Sequence, residues 1–300
     1  MKHLLKLSDL TSEEIFEILD LADKLKKERK EGIEHKYLKD KKLGMIFSKS
    51  STRTRVSFEV GMFELGGTAL FLSSNEIQIG RGEPVEDTAR VLSRYLDGIM
   101  IRTFAQQEVE DLAKYGSIPI INGLTDYCHP CQVLADLQTI REKKGSLEGK
   151  KLCFVGDGNN MANSLIVGCI KAGMKVSIAC PSEYKPDSEI IKWAEESGRF
   201  ECTDNVMEAA ANSDVLYTDV WASMGQEKEK EEREKVFNGY QINDEVMAVT
   251  NDGCMVLHCL PAHREEEITT KVFEEHADEI FEQAENRLHA QKAVLIKLMA

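Results

Sequence analysis

Apolar residues along the chain alternate between short runs bounded by turn residues and longer runs at helical spacing. The short runs Leu43 to Phe47, Thr68 to Leu72, Gly98 to Ile101 and Ile118 to Ile121 predict strands, and the segments 54–65, 85–95, 107–115 and 130–143 predict helices. A capping box of Thr11 with Glu14, with a staple between Leu10 and Ile15, opens an earlier helix that carries Ile15, Ile18, Leu19, Ala22 and Leu25 on one face. The pattern pauses at the polar, glycine-bearing turn Lys144-Gly145-Ser146-Leu147-Glu148-Gly149 and then resumes. Strands are expected at Lys151 to Val155, Lys175 to Ala179, Val215 to Thr218, Ala248 to Thr250 and Met255 to His258, with helices between them. The last run, Glu279 to Met299, predicts one long helix. Strand–helix alternation of this kind gives a parallel sheet with helices on both faces. The expectation is an α/β chain of two doubly wound parallel-sheet domains joined by interdomain helices: 1–146, with 279–300 packed back onto it, and 147–278.

Composition narrows the class. Hydrophobic residues make up 42% and charged residues 30% of the 300, the balance of a globular protein. The formal net charge of -14 argues against nucleic acid or an anionic membrane as partner. It also makes a cluster of arginines conspicuous. No run reaches membrane-spanning length, and Met1 to Leu10 lacks the apolar core of a secretory signal. Eight cysteines are scattered, several inside apolar runs such as Leu152-Cys153-Phe154, which reads as free thiols in a reducing cytoplasm.

The polar clusters fall where predicted strands end, the place at which open parallel sheets bind ligands. Ser50-Ser51-Thr52-Arg53-Thr54-Arg55 joins a strand to a helix start, so four hydroxyls and two guanidiniums meet outward-pointing N–H groups and a favourable helix dipole. That describes an oxyanion or phosphate site; the plain alternative is a Ser/Thr cap with two solvent-facing arginines. The stretch has no glycine, so it is neither a P-loop nor a dinucleotide loop. Arg102 closes the run Asp97 to Ile101, either as a surface residue or meeting the anion held by Arg53. In His129-Pro130-Cys131-Gln132, proline as first helical residue puts His129 at the N-cap, facing the crevice, with Gln132 one turn on. A simple capping histidine and an ordinary buried glutamine fit equally well.

Gly156-Asp157-Gly158-Asn159-Asn160 begins like a dinucleotide loop, but Met161 replaces the third glycine and no acidic residue ends the next strand, which argues against NAD. Two asparagines at a helix start suit an amino-acid backbone instead. Asp219, at the head of Val220-Trp221-Ala222-Ser223-Met224-Gly225, and Cys259, in His258-Cys259-Leu260-Pro261, sit at neighbouring strand ends and could receive an amine. A zinc set of Cys254, His258, Cys259 and His263 is the alternative, against which neighbouring strand residues point to opposite faces. Cys128 and Cys131 have the spacing of a redox pair. The mixed charge run Gln226 to Arg233 reads as a solvated loop or exposed helix.

Together these motifs resemble the carbamoyltransferase family, in the family's order and over nearly the whole chain. The carbamoyl-phosphate signature is Ser51-Thr52-Arg53-Thr54-Arg55 with Gln78, Arg102 and His129-Pro130-Cys131-Gln132. The ornithine-type signature is Asp219, Ser223-Met224-Gly225, His258-Cys259-Leu260-Pro261 and Glu285-Asn286-Arg287. By this resemblance Ser51, Thr52, Arg53, Thr54 and Arg102 hold phosphate, and His129, Gln132, Cys259, Leu260 and Arg287 surround the carbamoyl end. Asn160, Asp219, Ser223 and Met224 then hold ornithine, with Arg102, His129, Asp219 and Cys259 as the catalytic set. The resemblance implies carbamoyl transfer from carbamoyl phosphate to the side-chain amine of L-ornithine. It implies no cofactor and no metal, and a homotrimer or multiple of trimers with the loop around Gln78 near a neighbour. The rivals are a putrescine carbamoyltransferase and a non-catalytic phosphate-binding protein. Two departures are Glu265, where the family usually carries glycine, and Ser48, where it usually carries an acidic residue.

Overall fold

Two all-parallel sheets organise the chain, and their strand order decides where a ligand can sit. The computed structural model describes residues 1–222 and 229–300. Contacts divide it into one unit of Met1–Gln138 with Glu285–Ala300 and a second of Thr139–Ala284.

The first unit opens with helix α1 (Ser12–Lys30), whose capping box forms on both sides, Thr11 with Glu14. Strands β1 (Lys42–Phe47), β2 (Thr68–Ser73), β3 (Gly98–Arg102) and β4 (Ile120–Leu124) alternate with helices α2 (Thr52–Glu64), α3 (Val85–Leu92), α4 (Gln106–Tyr115) and α5 (Pro130–Lys144). The sheet order is β2-β1-β3-β4. The chain therefore leaves β1 toward one side and returns on the other at β3, so the switch point lies between the carboxyl ends of β1 and β3. Ile46, Ile99, Ile101 and Ile120 from three strands share one core cluster with Val109 and Leu112 of α4.

The second unit carries β5 (Lys151–Val155), β6 (Lys175–Ala179), β7 (Phe200–Thr203), β8 (Val215–Thr218) and β9 (Met255–His258). Between them run α6 (Asn160–Lys171), α7 (Ser188–Glu196), α8 (Val206–Ala210), α9 (Lys230–Val236) and α10 (Asp244–Met247), followed by α11 (Thr270–Glu275) and α12 (Ala277–Met299), of which residues up to Ala284 belong to this unit and those from Glu285 on to the first. Here the order is β7-β6-β5-β8-β9, which puts the switch point between the carboxyl ends of β5 and β8.

Two sequence expectations need correction. Ala248 to Thr250 is not a strand: Ala248 caps α10, and Thr250 N–H closes a turn on Met247. Strand β7 was not anticipated, because Phe200-Glu201-Cys202-Thr203 is short and lies half-exposed at the sheet edge, without the continuous apolar run of a buried parallel strand.

Candidate functional site

In the first unit β1 ends at Phe47 and α2 begins at Thr52, so the intervening loop opens at the switch point. Ser51 is the N-cap, its Oγ accepting from Thr54 N–H at 3.2 Å, which occupies that hydroxyl locally. Thr52 is exposed, whereas Thr54 is buried and its Oγ1 accepts from Arg287 Nη2 at 3.2 Å. The two arginines part. Arg53 stays half-buried beside the loop. The Arg55 guanidinium lies 3.8 Å over the Phe71 ring, and its Nε donates to Glu59 at 3.0 Å. The expectation that both serve one oxyanion site is thus corrected for Arg55, because residues two apart on a helix face different ways.

Arg102 ends β3 across the switch point, and its carbonyl accepts from Ser48 N–H at 2.8 Å, tying the two loops together. His129 immediately precedes α5 and is buried. Burial, followed by the positive charges of Arg287, Arg102 and Arg53, pushes its imidazole well below the ordinary histidine range. At neutral pH the ring is therefore neutral, one N–H donor and one acceptor ringed by three guanidiniums. Arg287 is buried and locked: Nη1 donates to Gln132 Oε1 at 2.7 Å, and Nε and Nη2 both reach Gln291 Oε1, at 3.1 and 2.8 Å. Gln132 Nε2 in turn donates to Asp136 at 2.8 Å, so the Gln132 amide orients Arg287. Gln78 is exposed and opens a short 3-10 turn after β2. Cys128 and Cys131 are buried and pushed up to about 12 by burial, unlike a reactive redox pair.

In the second unit β5 leads into Gly156-Asp157-Gly158, and the glycines have steric reasons. Gly156 has φ 140°, and a Cβ on Gly158 would meet the backbone of Lys185 and Pro186 at 2.3 and 2.2 Å. Asn159 caps α6, its Oδ1 accepting from Met161 and Ala162 N–H groups at 2.8 and 3.2 Å. Its free end, Nδ2, donates to Asp219 Oδ2 at 3.0 Å. Asn160, the residue singled out from sequence, begins the helix and accepts at its carbonyl from Ser164. Asp219 Oδ1 accepts from Val220 N–H at 2.8 Å and from Cys259 Sγ at 3.0 Å. A carboxylate, a thiol and an amide thus converge at the ends of β5, β8 and β9. Ser223, Met224 and Gly225 lie outside the described residues.

Arg233 corrects the view of its charge run as solvated. It is buried, with Nη1 donating to Asp157 Oδ2 at 2.7 Å and to Trp221 O at 3.0 Å, and its guanidinium lies 4.9 Å from the Tyr184 ring centre. Burial raises the Asp157 pKa in spite of this pairing. The four residues of the zinc alternative do not converge. The Cys254 thiol donates to Met255 O at the opposite end of β9, and both His258 nitrogens have protein partners, Leu260 N–H and Glu267. Among the described residues, two groups bring three metal-capable atoms within 4.8 Å of one another: Asp219 with His258 and Cys259, and His263 with Glu266 and Glu267. Glu265 has φ 71°, the left-handed backbone that favours glycine. This gives the departure noted in sequence a physical setting.

Two half-sites follow, one cationic with a neutral imidazole, the other able to receive an amine, and both lie at switch points. A family model described as the aspartate/ornithine carbamoyltransferase carbamoyl-P binding domain matches residues 2–142, and its Asp/Orn binding domain counterpart matches 148–298. The chain belongs to the aspartate/ornithine carbamoyltransferase family. It is 56% identical to an ornithine carbamoyltransferase of Oceanobacillus iheyensis, over 99% of this chain and 94% of that protein. It is 54% identical to one of Archaeoglobus fulgidus, over 100% and 98%. The solved ornithine carbamoyltransferase of Pyrococcus furiosus superposes with a TM-score of 0.95 at 52% identity, covering 99% of this chain and 97% of that one.

Proposed function

We propose that the chain transfers the carbamoyl group of carbamoyl phosphate to the side-chain amine of L-ornithine, giving L-citrulline and phosphate. The observation that carries this reading over a phosphate-binding protein is the Asp219–Cys259 contact with Asn159 beside it, in a chain whose other unit carries a cationic half-site; against putrescine, which has no carboxylate or α-amine, stand Asn160 and the sequence Ser223-Met224-Gly225. A phosphate-binding protein has no use for the first cluster.

Carbamoyl phosphate belongs with Ser51, Thr52, Arg53, Thr54 and Arg102, its dianion facing the start of α2 and the guanidiniums. Gln132 acts through Arg287 at the carbamoyl end. His129, neutral at pH 7, donates its N–H to the carbonyl oxygen, where charge develops as the amine attacks the carbon. The C–N bond forms, the C–O bond to phosphate breaks, the nitrogen gives up one proton that the leaving phosphate takes up, the ammonium's first proton having gone to solvent, and Arg53 stabilises the departing phosphate. The exchange moves no electrons to an acceptor and calls for no cofactor. Ornithine presents an ammonium with a reference pKa of about 10.4, so roughly one molecule in a few thousand is nucleophilic at pH 7. Asp219 and Cys259 bind the amino acid and favour proton loss, and Asn160, Asp219, Ser223 and Met224 together hold the α-amino-acid end. The carbamoyl-phosphate half comprises residues 1–146 with the C-terminal helix, and the ornithine half 147–278.

The enzyme works as a trimer, with Gln78 near a neighbouring subunit. Supporting this, β2 is an edge strand with Leu70 and Phe71 45% and 37% exposed, and α2 beside it leaves Phe63 81% exposed. The eight free thiols suit a reducing cytoplasm. Purified chain given carbamoyl phosphate and ornithine should release citrulline and phosphate in equal amounts. Phosphate release without citrulline would refute the transfer, and a fully active monomer in sedimentation would refute the trimer.

A further inference from the structure

The buried pair His258–Glu267 lies behind the loop that carries Cys259, and no step above uses it. Both side chains are fully buried, with His258 Nε2 2.9 Å from Glu267 Oε1. The tautomer follows from the other nitrogen. His258 Nδ1 accepts from Leu260 N–H at 2.9 Å, so it bears no proton, and Nε2–H donates to the carboxylate. The same Oε1 accepts from His263 N–H at 2.6 Å. One oxygen therefore grips both ends of the turn 259–262, at whose centre Leu260 stands in the left-handed region, φ 59°.

Glu267 is itself pinned. Its carbonyl accepts from Ile242 N–H at 2.9 Å, and the next residue, Ile268, accepts from Glu265 N–H at 2.8 Å. His258 N–H donates to Gln283 Oε1 at 3.0 Å, and Gln283 Nε2 to Tyr217 Oη at 3.0 Å. A buried carboxylate is costly to desolvate, and an apolar side chain would fill the same space more cheaply. Asp219 is oriented from elsewhere, by Val220 and Asn159. The two sides of the Cys259–Asp219 contact are thus held by separate hydrogen-bond sets.

We infer that Glu267 is a positioning residue that acts through His258: it fixes the turn 259–262 and thereby presents the Cys259 thiol to Asp219 and to the amine substrate. This rests on the ornithine reading for its consequence in turnover, but not for its consequence at the thiol.

The test compares Glu267→Ala, Glu267→Gln and the double variant His258→Phe/Glu267→Leu, which replaces the pair by apolar groups of similar size and guards against misfolding of the single alanine variant. Steady-state constants for both substrates are measured alongside the rate of Cys259 alkylation by iodoacetamide, mapped by peptide mass. Glu267→Ala and the double variant should raise the KM for ornithine at least tenfold while leaving that for carbamoyl phosphate within twofold. Alkylation of Cys259 should change at least threefold, and Glu267→Gln, which keeps an acceptor oxygen, should restore most of both. A stable double variant with wild-type constants and wild-type alkylation would overturn the inference, as would equal changes in both KM values that Gln fails to rescue. Wild-type chain that makes no citrulline would instead refute the ornithine reading, since alkylation reports on the turn without turnover.

Discussion

Cys259, just past β9, donates its thiol to Oδ1 of Asp219, just past β8, across 3.0 Å. The two strands are parallel neighbours, paired from Val215 with Met255 to Thr218 with His258, so their next residues emerge side by side. With Asn159 on its other oxygen, both carboxylate oxygens of Asp219 are held in place. Removing the carboxylate should remove the cationic contact while leaving the first unit intact. Asp219→Ala is expected to raise the KM for ornithine roughly 10- to 100-fold, in line with loss of one charge-assisted hydrogen bond, and to leave that for carbamoyl phosphate unchanged. Initial rates over a grid of both substrates check this.

On the proposed reading Arg53 holds the phosphate, whereas Arg55 packs over Phe71 and pairs with Glu59. Arg53→Ala should cut kcat/KM for carbamoyl phosphate by on the order of a hundredfold or more and weaken inhibition by inorganic phosphate. Arg55→Ala, which loses only contacts to Phe71 and Glu59, should keep phosphate inhibition within about threefold. Equal losses from the two variants would reassign the loop.

Much of this was legible in the sequence because buried parallel strands write themselves as continuous apolar runs. Lys151 to Val155, Lys175 to Ala179, Val215 to Thr218 and Met255 to His258 form strands at those bounds. The motif residues are then located simply as what comes next. The misses have local causes. Asn159 is indistinguishable by type from its neighbour Asn160, and only the cap geometry, which engages Asn159 Oδ1 and turns its Nδ2 to Asp219, adds it to the cluster. Arg55 could have been separated from Arg53 by helical spacing alone. Arg233 and Glu267 were hidden inside runs of like residues, Glu229 to Lys235 and Glu265 to Glu267, whose members face both solvent and core.

Acid should destabilise the fold through two buried histidines. Burial holds His289 down to about 4, with Lys292 and Lys26 opposing its charge and Glu285 favouring it, and holds His129 well below the ordinary value near 6.5. Between the folded and unfolded values the unfolded chain binds more protons, so stability rises with pH there and is lost as pH falls from about 6.5 toward 4. Melting temperature should drop across that window. His289→Gln, which keeps a donor toward Glu285, should flatten the slope; an unchanged slope would place the effect elsewhere.

Glu265 is exposed to a simple backbone test. Its Oε1 accepts from Thr270 N–H at 2.8 Å, and its φ is 71°. Alanine and glycine both remove the side-chain bond, but only glycine relieves the left-handed strain. Glu265→Gly is therefore expected to be about 1 kcal/mol more stable than Glu265→Ala in chemical denaturation. The reverse order would mean that the turn does not need this conformation.

The amine that the second unit accepts decides the function. Polar groups built for an α-amino-acid end and left unpaired by a diamine cost about 1 to 3 kcal/mol each, which is enough for strong discrimination. The decisive measurement is kcat/KM for L-ornithine, putrescine and N-acetylornithine, side by side at saturating carbamoyl phosphate. Ornithine should exceed each of the others by at least a hundredfold; putrescine or N-acetylornithine used with equal or better efficiency would contradict the assignment.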